Sequence, residues 1–432
     1  MYRLAQELFP IHRAVTGPGL RETLRRIARE IPLTLHEVQS GTRVFDWTIP
    51  EEWRIGQAFI ADEAGRRIVD IANSNLHVVN YSTPIDTTLP WSELRGHVNT
   101  LPEHPDWTPY RSTHFQPGWG FCMPHRLFAE METKPNARYR VVIASELLAD
   151  GSLTYGELSL PGRTTQEVLV SAHACHPSLA NDNISGVVLA TELARWAAAK
   201  TDRRFSYRFL FIPATIGGLT WLSRNEDLAR RIHHGLVLCG VGDPGPVHYK
   251  KSRRGDTPID RAMQHVLKHL SDPPRVRDFT PFGYEERQYC SPGFNLPMGT
   301  FSRTPHGEYV QYHSSGDDLS LVQPGPLGDS FEIVTRAFDL LETNETYVNT
   351  NPKGEPHLGR RGLYQAFGSH PDGGATQRAV QWVLNFSDGA HSLLEIAERA
   401  GVAYDPVRRA ADLLLKCGLL EKLEQHNEGT QP

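Results

Sequence analysis

The sequence predicts an α/β fold, in which a mixed sheet is flanked by helices, with an inserted β-rich domain and a C-terminal winged helix-turn-helix. Strand-like and helix-like patterns alternate from residue 137 to about 345, which is typical of α/β domains. Near-continuous apolar strands such as FLFI and LVLC indicate a sheet covered on both faces. Three short helical patterns follow a segment rich in Gly, Pro and charge, and they predict the C-terminal domain.

Composition and charge favour a soluble, cytoplasmic protein with no membrane partner. The 432 residues carry a net charge of −5, so the chain shows no basic footprint and nucleic acid is disfavoured as a partner. No apolar stretch approaches the ~18 residues of a membrane span, and the N-terminus lacks the apolar core of a signal peptide. Five scattered cysteines are typical of reduced thiols. Assembly into a homo-oligomer stays open.

The N-terminal third combines a helix with a β-rich insertion. Residues 1–31 are predicted to be helical, because apolar residues recur at spacings of three and four. Residues 34–130 contain strand-like runs between turn signals and five of the eight tryptophans, which we expect to fill a small core. We predict that 34–130 is inserted into an α/β domain formed by 1–33 and 131–345. The strands predicted for that domain are 139–145, 168–172, 207–212, 235–241, 247–251 and 296–301, and its helices are 185–200, 215–223, 258–269 and 327–341.

The C-terminal part is predicted to be a linker over 346–374 and a winged helix-turn-helix over 375–432. Its helical patterns cover 375–386, 393–400 and 406–417, with a turn at Gly401. Acidic residues offset the basic residues of the third helix. A structural or partner-docking module is therefore favoured over a DNA reader.

The segment EVLVSAHACHPSLANDNISG, residues 167–186, carries the residues best suited to chemistry. An apolar run predicts a buried strand, and helical spacing resumes after Ser185. Between them lie His176 and Asp182, in a loop at the carboxyl end of the strand, where α/β sheets build their sites. Imidazole nitrogen and carboxylate oxygen are ligands suited to zinc.

A third ligand is expected from a distant part of the chain, since catalytic zinc takes three protein ligands and keeps a position for water. His313, in VQYHSSGDD, stands where a strand-like run meets a polar loop. His173 competes with His176 for the first position, and His176 is preferred for its Cys-His-Pro setting. The alternative is that these histidines only hydrogen-bond within their loops.

Five motifs together resemble one known family. They are AHACHPSLANDNISG, FIPATIGGLTWLS, GLVLCGVGD, ERQYCSPGFNLP and EYVQYHSSGDD. They are similar to the aminopeptidase-like family long known as a domain of unknown function, whose members are often labelled polysaccharide-biosynthesis proteins. The resemblance covers nearly the whole chain and implies a central fold like that of the M28 zinc aminopeptidases. It also implies one or two zinc ions held by His176, Asp182 and His313.

The chain departs from that family at Ala214. Relatives carry Glu immediately before Thr-Ile-Gly, and in M28-like sites this Glu acts as the general base. A methyl group cannot accept a proton, and loss of a general base costs about 10²–10⁴ in rate. Deliberate replacement and natural impairment are both open. The intact flanking Pro213 and Thr-Ile-Gly favour the former, and a small core residue without a role is the plainest alternative.

Further residues are expected to border the same cleft and bind substrate. Asp243 ends a predicted strand and suits a second metal or a substrate ammonium, or only an Asx turn. Glu308 suits a free amino group. Arg287, Tyr289 and Arg303 lie in loops, where the arginines would suit a carboxylate-bearing substrate.

The function predicted from these observations is metal-dependent hydrolysis of an amide bond in a small peptide or aminoacyl conjugate. Zinc would polarise the carbonyl and activate water, and Ala214 would leave turnover slow or absent. One alternative is a regulatory or small-molecule-binding protein on a decayed hydrolase scaffold. Another is a DNA-linked regulator, which the acidic net charge disfavours.

Overall fold

The computed structural model describes residues 1–363 and 373–423. Its α-helices are α1 (Tyr2–Leu8), α2 (Pro18–Ile27), α3 (Trp91–Leu94), α4 (His125–Glu132), α5 (Ser185–Ala199), α6 (Ile216–Arg224), α7 (Glu226–Ala229), α8 (Pro258–Lys268), α9 (Glu286–Tyr289), α10 (Pro324–Thr343), α11 (Gly373–Phe386), α12 (Leu393–Ala400) and α13 (Tyr404–Lys416). Its strands are β1 (Thr34–Gln39), β2 (Arg43–Val44), β3 (Trp47–Thr48), β4 (Glu52–Ala61), β5 (Arg67–Asp70), β6 (Ile85–Pro90), β7 (Val98–Asn99), β8 (Phe121–Cys122), β9 (Arg138–Leu148), β10 (Ser152–Leu160), β11 (Glu167–His173), β12 (Ser206–Ile212), β13 (Ile232–Leu238), β14 (His248–Lys250), β15 (Arg275–Arg277), β16 (Met298–Ser302), β17 (Thr346–Asn349), β18 (Asp388–Ser392) and β19 (Leu420–Lys422). Within these ranges, no helix combines the length and apolar character that a membrane crossing needs.

A large mixed sheet positions the candidate site, as the sequence predicts. Its strands follow the order β1-β10-β12-β11-β13-β16-β14-β15. The central strands β12, β11, β13 and β16 are parallel, whereas β10 and β14 run antiparallel to their inner neighbours. Every residue of β11 is buried, and its middle is mostly apolar, as expected for a parallel strand that is covered on both faces. The carboxyl ends of four parallel strands therefore meet at one edge.

Helix α5 follows the central strand and contacts β10 to β13. Ten of its residues are buried, and most of them are Val, Ala or Leu. A helix that is apolar nearly all round is suited to an interior position. Its first turn is thereby held against the sheet, and the loop that precedes it is held at the edge.

The insertion differs from its predicted bounds of 34–130 because strand pairing crosses both of them. Strand β1 pairs with β10 in the large sheet, whereas β9 pairs with β4 and β6 in a smaller antiparallel sheet. The tryptophans Trp53 and Trp91 are buried in the core of that smaller sheet, as predicted, while Trp47 is exposed. The local sequence pattern indicates where strands lie, but it does not indicate with which strand each of them pairs.

The N-terminal segment, predicted to be helical over 1–31 with a break at Gly17-Pro18-Gly19, forms the two helices α1 and α2. Gly17 adopts a positive φ of 97°, and Pro18 then begins α2. Glycine permits this backbone conformation, and proline is favoured in the first helical turn because its missing N–H costs nothing there. The Gly-Pro pair therefore starts α2, whereas α1 already ends at Leu8.

The C-terminal region contains the three predicted helices and a three-stranded antiparallel sheet of order β18-β17-β19. Helix α12 begins with a capping box of Ser392 and Glu395 and ends at Gly401 in the left-handed region, where the turn is predicted. The predicted linker over 346–374 supplies β17, because that strand pairs with β18 and β19. Residues 364–372 of that linker and 424–432 of the predicted domain lie outside the described residues.

Candidate metal centre

The candidate centre begins at the end of β11. His173 is the last residue of this strand, and the chain returns to the same edge with Asp182 just before α5. The imidazole Nε2 of His173 lies 2.8 Å from Oδ1 of Asp182. Both side chains are almost fully buried, at 0% and 1% exposed. A buried carboxylate thus stands at the carboxyl edge of the parallel strands, where α/β proteins bind ligands.

Two further histidines face the same carboxylate. Nδ1 of His176 lies 3.6 Å from Oδ1 of Asp182, and Nε2 of His313 lies 3.0 Å from Oδ2. His313 arrives from the loop after β16, a neighbour of β13 in the parallel part of the sheet. Sheet topology therefore brings together the three predicted ligand residues and adds His173, the competitor considered for the first position. His173, His176 and Asp182 offer ligand atoms within 4.8 Å of one another.

The protonation states of these groups fit a bound cation. Burial lowers the pKa of His176 to about 3, so its ring is neutral, and its buried Nδ1 has no hydrogen-bond partner. Burial opposes ionisation of Asp182, but the surrounding imidazoles hold the pKa of this carboxyl well below its usual range. A neutral imidazole with a free lone pair beside an ionised carboxylate is a donor set that suits zinc.

His173 is held between two carboxylates. Its Nδ1 lies 3.7 Å from Oε2 of Glu285, opposite the contact with Asp182. Burial lowers the pKa of His173, but Glu285 and Asp182 outweigh it and raise that pKa to about 10. A carboxylate behind a metal-binding imidazole commonly fixes its tautomer and orientation. A metal ion at Nε2 would take the place of a proton there.

Glu285 and Cys239 are site residues that the sequence analysis missed. Glu285 is 0% exposed, and neither of its carboxylate oxygens has a hydrogen-bond partner, which is unfavourable without a nearby cation. The thiol of Cys239 lies 3.6 Å from Oδ1 of Asp182. The strand predicted over 235–241 includes Cys239, so only the structure shows that this residue lies just past the end of β13. No local pattern marks Glu285, because tertiary packing places it.

A second acidic residue holds the loop that carries Asp182. Asp317 accepts hydrogen bonds from the backbone N–H groups of Asn181 and Asp182, at 2.6 and 3.0 Å. The Tyr309 hydroxyl donates a third, at 3.1 Å. The Asn183 side chain donates to the backbone oxygen of Leu238 at 2.8 Å. The turn between β11 and α5 is thus tied on both sides, and the Asp182 carboxylate is presented in one orientation.

Tyrosine rings surround the imidazoles. Tyr284 stacks on His173 with ring centres 5.1 Å apart, and Tyr312 stacks on His313 at 3.9 Å. Tyr110 packs edge-on against His176, with ring centres 5.2 Å apart. Aromatic contacts of this kind favour fixed ring orientations.

Ala214 borders the centre from the neighbouring strand. His173 pairs with Ile212, the last residue of β12, and Ala214 follows two positions later. Its backbone N–H donates to the sulfur of Cys175 at 3.3 Å, and its methyl group is half-buried. The described structure therefore places position 214 at the same sheet edge, with a side chain that has no proton-accepting group.

Two of the predicted substrate-binding residues take part in loop structure. The Asp243 carboxylate accepts hydrogen bonds from the Gly245 N–H at 2.8 Å and the Thr304 hydroxyl at 2.6 Å, so it forms an Asx turn. The Arg303 guanidinium donates to the backbone oxygen of Gly245 at 3.0 Å. These contacts occupy both side chains, and their predicted roles toward substrate stay predictions.

The other three predicted residues are dispersed. The Tyr289 hydroxyl is buried and lies 3.0 Å from that of Ser171, within the core. Arg287 is half-buried on α9, and its Nε has no hydrogen-bond partner. Glu308 forms an ion pair with Arg277 and lines a cavity beside the centre. Their predicted roles likewise stay predictions.

Comparisons with known proteins divide the chain at one point. Residues 2–344 match the family model described as a domain of unknown function (DUF4910), and residues 345–422 match a winged helix-turn-helix. A protein of Clostridium acetobutylicum is 44% identical over 421 residues, covering 98% of this chain and 96% of that protein. It is named as a candidate polysaccharide biosynthesis protein with an aminopeptidase-like domain.

The chain is also similar to solved structures. A crystal structure of a peptidase candidate from Clostridium acetobutylicum has a TM-score of 0.92 at 43% identity, with 98% of this chain and 96% of that chain covered. A zinc aminopeptidase from Bacillus subtilis has a TM-score of 0.58 at 13% identity, with 78% and 92% covered. A peptidase M28 precursor from Shewanella amazonensis has a TM-score of 0.56 at 13% identity, with 79% and 92% covered. At such low identity, the last two show a shared fold alone.

The family match spans most of the chain, and the fold is that of the M28 zinc aminopeptidases. The expected resemblance and fold class are thereby confirmed. The chain belongs to the aminopeptidase-like family described as DUF4910, and a winged helix-turn-helix follows its α/β domain.

Proposed function

We propose that this protein is a zinc-dependent amide hydrolase of aminopeptidase type, acting on a small peptide or aminoacyl conjugate, and that Ala214 weakens its turnover. The observation that carries the proposal is the convergence of three imidazoles on the Asp182 carboxylate, within 2.8 to 3.6 Å. The fold shared with zinc aminopeptidases supports it. The name of the Clostridium relative supports a setting in biosynthesis.

The residues that would hold zinc are His176, Asp182 and His313, together with His173. Bound there, zinc would supply a Lewis acid for an amide carbonyl and would lower the pKa of water. Asp182 supplies negative charge, and Glu285 orients His173 from behind. His173 and Asp182 are almost fully buried, which strengthens the electrostatic interaction between them.

At position 214 this chain has no side-chain group that can transfer a proton. Hydrolysis of an amide needs a base that takes a proton from water and returns it to the departing amine. The Ala214 methyl group can do neither. Glu285 is fully buried and lies behind the His173 ring, so we assign it a positioning role. The proposal therefore expects zinc and substrate to bind while hydrolysis is slow.

The first prediction is that Ala214→Glu raises hydrolysis of aminoacyl amides by about 10²–10⁴-fold, because it restores a general base at the sheet edge. The measurement is the rate of amine release from a panel of aminoacyl amides, with zinc present and after chelation. Ala64→Glu, in an exposed turn of the small sheet, is the matched control and should leave the rate unchanged. Zinc-loaded Ala214→Glu protein with no gain in rate would contradict the mechanism.

A second function, ligand binding without turnover, is favoured by the presence of a methyl group rather than a carboxylate at position 214. A site that holds metal and substrate but lacks the base is suited to binding without turnover. In that case the protein would serve as a small-molecule sensor or regulator. The outcome that selects it is substrate affinity retained in the Ala214→Glu variant without conversion to product.

A further inference from the structure

A cavity of about 300 Å³ adjoins the candidate metal centre on the side of β14 to β16. Tyr284 and His306 line it, and their rings meet edge-on with centres 5.0 Å apart. Tyr284 is the same ring that stacks on His173. One aromatic side chain therefore separates the cavity from an imidazole of the centre, and a molecule that fills the cavity would extend toward the reacting groups.

Two residues of the cavity lining carry buried polar atoms without a partner. His248 is 2% exposed, and its Nδ1 lies 3.0 Å from the backbone oxygen of Pro246. Nδ1 must donate to this carbonyl, so the unpartnered Nε2 is an acceptor when the ring is neutral. Burial lowers the pKa of His248, which favours that neutral form. Thr300, 6% exposed, has an unpartnered hydroxyl. Such atoms are unfavourable until a ligand or water bonds to them.

Four charged groups of the lining are paired with one another, and the fifth, Asp278, forms an ion pair with Lys251 outside the lining. The Lys250 ammonium forms an ion pair with Glu286, and the Arg277 guanidinium donates to Glu308 at 2.8 Å. Both cations are therefore already neutralised and do not favour a ligand with a carboxylate or phosphate group. Both carboxylates are neutralised as well and do not favour a ligand with an ammonium group. Paired charges still offer strong donors and acceptors to hydroxyl groups. The pairing therefore favours a ligand that is uncharged and rich in hydrogen-bonding groups.

An exposed aromatic ring completes the cavity. Phe282 is 68% exposed and lies beside His306, with ring centres 5.3 Å apart. A large, exposed aromatic side chain at a cavity that also carries a few polar groups commonly marks a binding surface. Its flat face suits the C–H face of a saturated ring whose edges carry hydroxyl groups. The volume lies near the lower end of the ~300–1,000 Å³ that small-molecule sites span, which limits the ligand to one such ring.

We infer that this cavity binds an uncharged, hydroxylated ring of monosaccharide size. Phe282 stacks on the ring, and the His248 and Thr300 side chains bond to its hydroxyl groups. Resting on the proposed function, the sugar is the part of the amide substrate that lies next to the scissile bond. The substrate class is then an aminoacylated or otherwise N-acylated amino sugar rather than a plain peptide.

The test is titration of the full chain, with Ala214 in place, by methyl glycosides of glucose, galactose, mannose and N-acetylglucosamine, followed by NMR or calorimetry. We expect at least one of them to bind with a Kd on the order of millimolar, as befits a single small ring. Phe282→Ala should weaken that binding at least fivefold, and Thr300→Val should weaken it as well. Phe45→Ala removes a ring that is 39% exposed elsewhere and should leave binding unchanged.

Three results would overturn the inference: no glycoside binds, glucuronate or glucosamine binds better than the neutral glycosides, or Phe282→Ala binds them unchanged. Because Phe282 lies at the surface, its variant remains informative even if Thr300→Val fails to fold. Binding needs no turnover, so the titration is run with and without zinc. A failure of Ala214→Glu to hydrolyse amides would leave the sugar site standing, and the loss of sugar binding would leave the hydrolase proposal standing.

Discussion

The two ends of β11 carry equally buried charges that are partnered in opposite ways. At its start, Glu167 is 4% exposed and accepts hydrogen bonds from Arg208 at 2.6 and 2.9 Å. At its end, His173 is held between Asp182 and Glu285, and the oxygens of Glu285 have no hydrogen-bond partner. A buried charge that is fully paired maintains the fold, whereas unpartnered buried polar atoms are unfavourable until a ligand completes them. The difference separates a structural end of the strand from a ligand-binding end.

The largest effect is expected at the ligand-binding end. Asp182→Asn should reduce the zinc content of purified protein from about one ion per chain to less than about a tenth, because the shared charged ligand is lost. Metal analysis after dialysis measures it. Asp227→Asn makes the same change at an exposed position and should retain zinc. Full zinc retention by Asp182→Asn would show that the imidazoles converge on this carboxylate for structural reasons alone.

The structural end should respond in stability rather than in metal binding. Arg208→Met leaves Glu167 buried without its cation, which should cost about 3–5 kcal/mol of unfolding free energy. Zinc per folded chain should not change. Urea unfolding measures the first quantity, and Arg163→Met, which breaks an exposed ion pair, should cost less than about 1 kcal/mol. An equal loss in both variants would remove the contrast between the two ends.

The smallest effect is expected at Glu285, a buried charge that acts on metal binding only through His173. Glu285→Gln keeps the shape of the side chain but removes the charge behind His173, and it should weaken zinc affinity about 10–100-fold. Competition with a chelator of known affinity measures it. Glu103→Gln, at an exposed position, is the control. Unchanged affinity would mean that Glu285 is a buried charge without influence on the imidazole.

Sequence reasoning located one half of the candidate site more firmly than the other. His176 and Asp182 share one loop, so their proximity follows from chain connectivity. His313 was predicted from its place where a strand-like run meets a polar loop, and the family resemblance implied it as well. The order of β11, β13 and β16 in the sheet accounts for its approach to Asp182. His173 was weighed only as a competitor, although the structure places both histidines beside the carboxylate.

The bounds of the insertion also show which features of the fold local sequence predicts and which it does not. The strand patterns near residues 34 and 139 were recognisable from local sequence. The strands with which they pair were not recognisable. The local patterns of β1 and β9 are similar, yet the two strands belong to different sheets. Pairing depends on long-range register and on packing of the two faces, which local periodicity does not encode.

The sequence by itself determined the α/β class, the winged helix-turn-helix, the loop that carries His176 and Asp182, and the absence of a carboxylate at position 214. These features depend on periodicity, turn chemistry and residue identity, which are local. Only the tertiary structure decided that Glu285 stands behind His173, that Cys239 reaches Asp182, and that a cavity with unpartnered polar atoms lies beyond Tyr284. These contacts join residues that lie far apart in the chain, and they exist only once the sheet has set the order of its strands.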